Sequence, residues 1–164
     1  MPSANVANAT NPELPAFRDL PSLIAEHAAR APLALALRCG DQTLTYAELD
    51  ARMDRVAASL QRDGFEPRQS ISICAASSTD YLAVFCGALR AGVAVAPLAP
   101  SSTATQLADM VSDSGARLFF TDAATLQTLR QGGIDKGKLP PVLRLDEGIE
   151  PWLAPVGADR KSVV

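Results

Sequence analysis

A chain of 164 residues with 48% hydrophobic and 20% charged side chains has the make-up of one ordinary soluble domain able to bury a core. The formal net charge is −3 and the one compact basic pair, Arg160-Lys161, sits near the end, so the electrostatic footprint of a nucleic-acid binder is lacking. Cys39, Cys74 and Cys86 form no Cys-x-x-Cys pair, which argues against a disulfide framework or a zinc site and for small buried thiols in a reducing, cytoplasmic setting.

Residues 1–18 read as a disordered leader, rich in Asn, Ala and Pro and without a period; Met1 to Thr10 lacks the basic and apolar stretches of a signal peptide. A helix is predicted from Ser22 to Arg30, with Leu23, Ile24, His27 and Ala28 on one face and Pro32 ending it. His27, the lone histidine, is expected to pack there with its polar edge exposed and to take no part in catalysis. Ala34–Cys39 and Gln42–Thr45 flank Gly40-Asp41 and predict a β-hairpin. Thr45-Tyr46-Ala47-Glu48 has the form of a capping box, and Leu49, Met53, Val56 and Leu60 follow at helical steps before Gly64.

From Ser70 the pattern becomes strand, then helix, repeatedly. Ile71, Ile73 and Ala75 alternate with Ser70, Ser72 and Cys74 as a strand; Thr79–Ala91 is a helix apolar nearly all round; Val93–Pro97 is a second, buried strand. Gly92 and Pro97 break the apolar run Leu82–Ala99, so it is read as a buried helix and strand and not as a membrane span. Thr103–Ser114 predicts a helix opened by a second capping box, Thr103 with Gln106; Arg117–Thr121 is a strand, Ala123–Arg130 a helix with Asp122 as N-cap, and Val142–Leu145 a fourth strand. Short strand–helix alternation implies right-handed crossovers. The expected class is therefore α/β: a largely parallel sheet flanked by helices, with an N-terminal helix and hairpin, over residues 19–146. Residues 147–164, with Trp152 between Pro151 and Pro155, are expected to be poorly ordered.

The usual chemical motifs are missing from these residues. There is no Gly-x-Gly-x-x-Gly, no Gly-x-x-x-x-Gly-Lys-Ser/Thr and no Gly-x-Ser-x-Gly, and a Ser–His–Asp arrangement would have to recruit His27. Two hydroxyl-rich turns, Ser77-Ser78-Thr79 and Ser101-Ser102-Thr103, stand where a strand ends and a helix begins. Open α/β sheets place ligands there and helix N-termini attract anions; plain capping by Ser and Thr is the favoured reading of both. No residue is assigned to catalysis or to a metal, and the cofactor-binding residues are unknown.

The order of blocks resembles the adenylate-forming (AMP-binding) superfamily of acyl- and aryl-CoA synthetases, luciferases and peptide-synthetase adenylation domains. Leu44-Thr45-Tyr46-Ala47-Glu48-Leu49 is similar to its first core motif, Leu89-Arg90-Ala91-Gly92-Val93-Ala94-Val95-Ala96-Pro97-Leu98 to its second, and Asp113–Thr121 to the segment that follows in many members. The resemblance covers about Leu20 to Leu129.

It implies a partial N-terminal domain of an enzyme that joins a carboxylic acid to ATP as an acyl-adenylate and then to a thiol, using ATP, Mg²⁺ and CoA. In the family the phosphate loop, metal-binding Glu and acid pocket lie beyond the matching blocks, so the chain by itself is expected to be inactive, to hold none of these cofactors and to be able to self-associate through uncovered apolar surface. Val95 stands where the peptide-synthetase branch has Tyr and Ala99 where it has Asp, so the resemblance leans to the CoA-ligase branch. The alternatives are an adenylation domain of a peptide synthetase or acyl-AMP ligase, and a stand-alone, non-enzymatic α/β module for binding or assembly.

Overall fold

A computed structural model describes residues 17–157, so the leader predicted over residues 1–18 falls almost wholly outside the described residues. The elements are α1 (Leu20–Arg30), β1 (Leu35–Cys39), β2 (Gln42–Thr45), α2 (Tyr46–Arg62), β3 (Ser70–Cys74), α3 (Thr79–Arg90), β4 (Ala94–Pro97), α4 (Ala104–Asp113), β5 (Ala116–Thr121), α5 (Ala123–Gln131) and β6 (Val142–Arg144), with a short 3-10 turn at Lys136–Lys138. β1 and β2 form an antiparallel hairpin; β3 to β6 form a parallel sheet in the order β4-β3-β5-β6. The predicted class, a helix and hairpin followed by a parallel sheet between helices, is the one observed.

Both capping boxes are in place. Glu48 N donates to Thr45 Oγ1 at 3.3 Å while Thr45 N donates to the Glu48 carboxylate at 2.8 Å; Gln106 N and Thr103 N repeat the exchange at α4 at 3.3 and 3.0 Å. Each reciprocal pair satisfies two of the N–H groups that a helix start leaves without intrahelical partners.

Side chains of successive strand residues point to opposite faces, and two separate cores result. On one face Ile71, Ile73, Leu118 and Phe120 meet Val56, Ala57 and Leu60 of α2 and Val84 and Ala88 of α3. On the other, Cys74 and Phe119 meet Leu107 and Val111 of α4 and Leu126 and Leu129 of α5. A third cluster joins Ile24 of α1 to Leu49 and Met53 of α2 and to Ala83 and Cys86 of α3, with the hairpin residues Ala36 and Leu44 beside it.

β3 is buried on both faces, as a parallel sheet flanked by helices requires: Ser72 and Cys74 are as buried as Ile71 and Ile73, and the Ser72 hydroxyl finds the Ser114 hydroxyl at 2.9 Å. Two expectations need correction. β4 is not a buried strand: it lies at the sheet edge with Ala94 and Pro97 exposed. The stretch after β6 is not poorly ordered as far as it is described. Ile149, Leu153 and Ala154 are buried, Trp152 packs edge-on to Phe120 at 5.3 Å, and the Ala154 N–H donates to the buried Ser59 hydroxyl at 2.7 Å. Arg55 and Arg62 of α2 add bonds to the carbonyls of Ala154 and Trp152 at 2.8 and 3.0 Å, so residues 149–154 strap α2 without any regular period of their own.

Two contacts fix how the helices meet. Gly87 lets α3 lie against α2: a Cβ there would stand 2.6 Å from Val56 Cβ and 2.9 Å from the Met53 carbonyl. The Arg90 side chain, 5% exposed, reaches the Asp50 and Asp54 carboxylates at 2.5 and 2.8 Å and the Asp50 and Pro21 carbonyls at 3.0 and 3.3 Å, tying α3 to α2 and α1. Gly87→Ala is expected to lower stability by about 1–3 kcal/mol through overpacking, read as a lower urea midpoint at unchanged slope. Arg90→Ala is expected to cost about 2–4 kcal/mol, since two carboxylates and two carbonyls lose this donor, and Arg90→Lys to recover only part of that on the same measurement.

Candidate functional site

The chain leaves β3 outward to β4, then returns across β3 to β5 and β6. Strand order therefore reverses between β3 and β5, and in open α/β sheets the crevice at the carboxyl ends of two such strands is where ligands bind. In this chain that position is formed by Cys74–Ala76 and Thr121–Asp122, and it is filled by the chain itself. One oxygen of the Asp122 carboxylate accepts from Thr125 N at 2.8 Å and the other from Ala76 N at 2.8 Å. Burial pushes the Asp122 carboxyl up, but the Thr125 and Ala76 N–H groups together outweigh it and hold the group below its ordinary value. Next to it Asp146 takes the Ala123 N–H at 3.2 Å.

The other helix starts at this end of the sheet are closed in the same way. Ser78 caps α3, accepting from Tyr81 N at 3.0 Å, and Thr103 caps α4. Thr79 turns away to donate to Gln42 Oε1 at 3.0 Å, while the Cys39 thiol donates to the Ser77 carbonyl at 3.2 Å, so the hairpin turn rests on the β3–α3 turn. The two hydroxyl-rich turns thus serve as caps and as a seat for the hairpin. The sequence reading pointed to these turns and missed Asp122 as the group at the reversal point, because strand order is not written in local pattern.

His27 sits half-buried, its ring stacked on Tyr46 at 4.9 Å with Arg30 Nη2 3.1 Å from its Nδ1, and lines a cavity of about 140 Å³ with Arg18, Leu23, Glu26 and Arg30. That placement is the packing role read from the sequence. Cys74 and Cys86 are buried and desolvation pushes both thiols up, away from thiolate chemistry; Cys39 is only half-buried, and all three are free.

Among the described residues no group of three or more His, Cys, Asp or Glu could hold a metal ion, and α3, α4 and α5 each begin on a side chain of the chain's own. The helix starts at this end of the sheet are thus satisfied by the chain's own carboxylate and hydroxyl groups. No described helix is long and apolar enough to cross a membrane.

A four-stranded parallel sheet between helices, preceded by a helix and hairpin, defines the described residues as an α/β unit. Over residues 24–160 it matches the family described as AMP-binding enzyme, and the chain belongs to that family. It is 33% identical over 147 residues to a linear gramicidin synthase of Brevibacillus parabrevis, a match taking in 90% of this chain and 2% of the relative. To polyketide synthase PksN of Bacillus subtilis strain 168 it is 36% identical over 114 residues, 70% of this chain and 2% of that protein. The N-terminal domain of FACL13 from Mycobacterium tuberculosis shares the fold, with a TM-score of 0.77 at 20% identity over 90% of this chain and 38% of that structure. VinN, solved with L-aspartate, has a TM-score of 0.75 at 26% identity over 88% of this chain and 40% of its own. The chain thus spans about 2% of the length of the curated relatives it matches.

Asp122→Ala is expected to lower stability at neutral pH by about 1–2 kcal/mol, since two N–H groups lose their acceptor. A carboxyl held below its ordinary value stabilises above that value, and the contribution is lost as pH falls through the folded-state value. The gap between wild type and variant should therefore close as pH drops below 3.8, the ordinary Asp value, in urea titrations run across the acid range.

Proposed function

We propose that this chain is the N-terminal portion of an enzyme that activates a carboxylic acid with ATP, forming an acyl-adenylate and pyrophosphate, and then passes the acyl group to a thiol. The family match over residues 24–160 carries the reading. The share taken by these residues is structural: Thr45, Glu48, Arg90 and Asp122 hold elements in place, and none of them is proposed to touch substrate. Phosphate, metal and acid contacts are then supplied by other parts of the enzyme, and the work takes place in the cytoplasm, which the three free thiols support.

CoA is the first acceptor we propose, on the strength of Val95 and Ala99 and of the fold shared with a Mycobacterium tuberculosis fatty acyl CoA synthetase, at a TM-score of 0.76. A carrier-protein thiol is the second, favoured by 32–36% identity to synthetases of the linear gramicidin, tyrocidine and PksN type. The test is acid-dependent ATP–pyrophosphate exchange by the full-length gene product over a panel of aliphatic, aromatic and amino acids. Exchange with one acid class is expected; none with any acid refutes the reading. Thioester formation with free CoA then supports the first acceptor, and loading of a phosphopantetheinylated carrier without turnover of CoA supports the second.

A further inference from the structure

Leu23, Glu26, His27 and Arg30 follow one another along α1 at the spacing that lines residues up on one face of a helix. Together with Arg18, which precedes the helix, they line the cavity of about 140 Å³. The described contacts that hold α1 to its neighbours are made by Ile24, the Pro21 carbonyl and the face of the His27 ring. Arg18 and Arg30 are exposed and take no part in them.

Hydrogen bonding decides what the cavity wall offers. A guanidinium has donors only, so where Arg30 Nη2 stands 3.1 Å from His27 Nδ1 the ring nitrogen is the acceptor, and the neutral imidazole carries its proton on Nε2. The Tyr46 ring, stacked at 4.9 Å, holds the imidazole in that orientation. Arg30 has no carboxylate partner among the described residues, and its bond to His27 leaves most of its N–H donors unused. Arg18 is paired with Glu26, so those two charges cancel. The wall therefore carries the uncompensated positive charge of Arg30 with an imidazole N–H beside it. The carbonyl end of α1 adds partial negative charge nearby, so the attraction comes from the side chains and favours an anion of more than one charge.

We propose that this cavity is a binding site for a phosphate group, free or as a monoester, held by Arg30, by the His27 Nε2–H and by Arg18 once the anion draws it from Glu26. Phosphate carries close to two negative charges near neutral pH. Its oxygens accept from donors on several sides, which a carboxylate, with both oxygens in one plane, cannot match. A single water needs about 10–15 Å³ of such space, so a cavity of about 140 Å³ has room for the group with water around it. Such a site is independent of the adenylating reaction, since none of the residues at the sheet end lines it.

The test is the rate at which diethyl pyrocarbonate acylates His27 in the full-length gene product, read by peptide mass spectrometry, with inorganic phosphate replacing sodium chloride at constant ionic strength. Phosphate is expected to slow the reaction about fivefold or more, saturably, with half the effect at ~1 mM, as for an anion held by a few charge-assisted hydrogen bonds. Arg30 is exposed, so Arg30→Gln should fold as the wild type does and abolish the slowing, and Arg18→Gln should weaken it. Each variant is compared with itself without phosphate, because losing Arg30 alters the reactivity of the ring. An unchanged wild-type rate overturns the proposal, as does full slowing retained in Arg30→Gln. Glycerol 3-phosphate separates the two sources: half-effect at a lower concentration than inorganic phosphate makes the ligand a monoester, and at an equal or higher one makes it the free anion.

Discussion

The enclosure of the middle of α2, from Val56 to Leu60, is the constraint on which the rest of the structure depends. Val56, Ala57, Ala58, Ser59 and Leu60 are consecutive and all buried, which a surface helix with one apolar stripe cannot achieve. Val56, Ala57 and Leu60 face the sheet core, Leu49 and Met53 face α1 and the hairpin, and Val56 touches α3 at Gly87. The remaining side is closed by residues 149–154, and it is there that the one polar member of the run is satisfied. Ser59 donates to the Arg55 carbonyl at 2.7 Å and accepts the Ala154 N–H, so a hydroxyl in the middle of the buried run has a partner in each direction. Stripped of that strap, α2 would expose Ala58 and Ser59 and leave Ile149 and Leu153 without a core.

Arg90 works on the opposite end of the same packing. A guanidinium at 5% exposure is tolerable only where carboxylates and carbonyls surround it, and Asp50, Asp54 and the Pro21 carbonyl do so from two other helices. The glycine two residues on, Gly92, takes a positive φ of 72° and turns the chain toward β4, which lets Arg68 N donate to its carbonyl at 2.8 Å. The block Leu89–Leu98 is thus a packing instruction: an internal ion pair, a turn and an edge strand in succession.

Local features were legible in the sequence and relations between distant segments were not. Thr45 with Glu48 and Thr103 with Gln106 read as capping boxes because both partners lie three residues apart. The strand–helix alternation pointed to the class for the same reason. Order within the sheet required knowing that the chain doubles back over β3, so the edge position of β4 and the role of Asp122 at the reversal point were invisible locally. The strap was misread because Ile149, Trp152, Leu153 and Ala154 follow no period; their partners, Ser59 and Phe120, lie far away in the chain.

The division between scaffold and chemistry also explains why the acceptor thiol is the open part of the function. Thr45, Glu48, Arg90 and Gly92, which carry the family resemblance, act by capping, ion pairing and turning, and a CoA synthetase and a peptide synthetase need those in equal measure. Identity of 33% to a linear gramicidin synthase and a TM-score of 0.77 to FACL13 are therefore compatible statements about one scaffold. The two positions that lean toward a CoA synthetase, Val95 and Ala99, sit on β4 and just past its end, Val95 half-buried at the free edge and Ala99 exposed beyond it. Both positions lie at or just past the sheet edge, and neither takes part in the capping box at Thr45 or the ion pairs of Arg90, so the scaffold that both branches share does not depend on them.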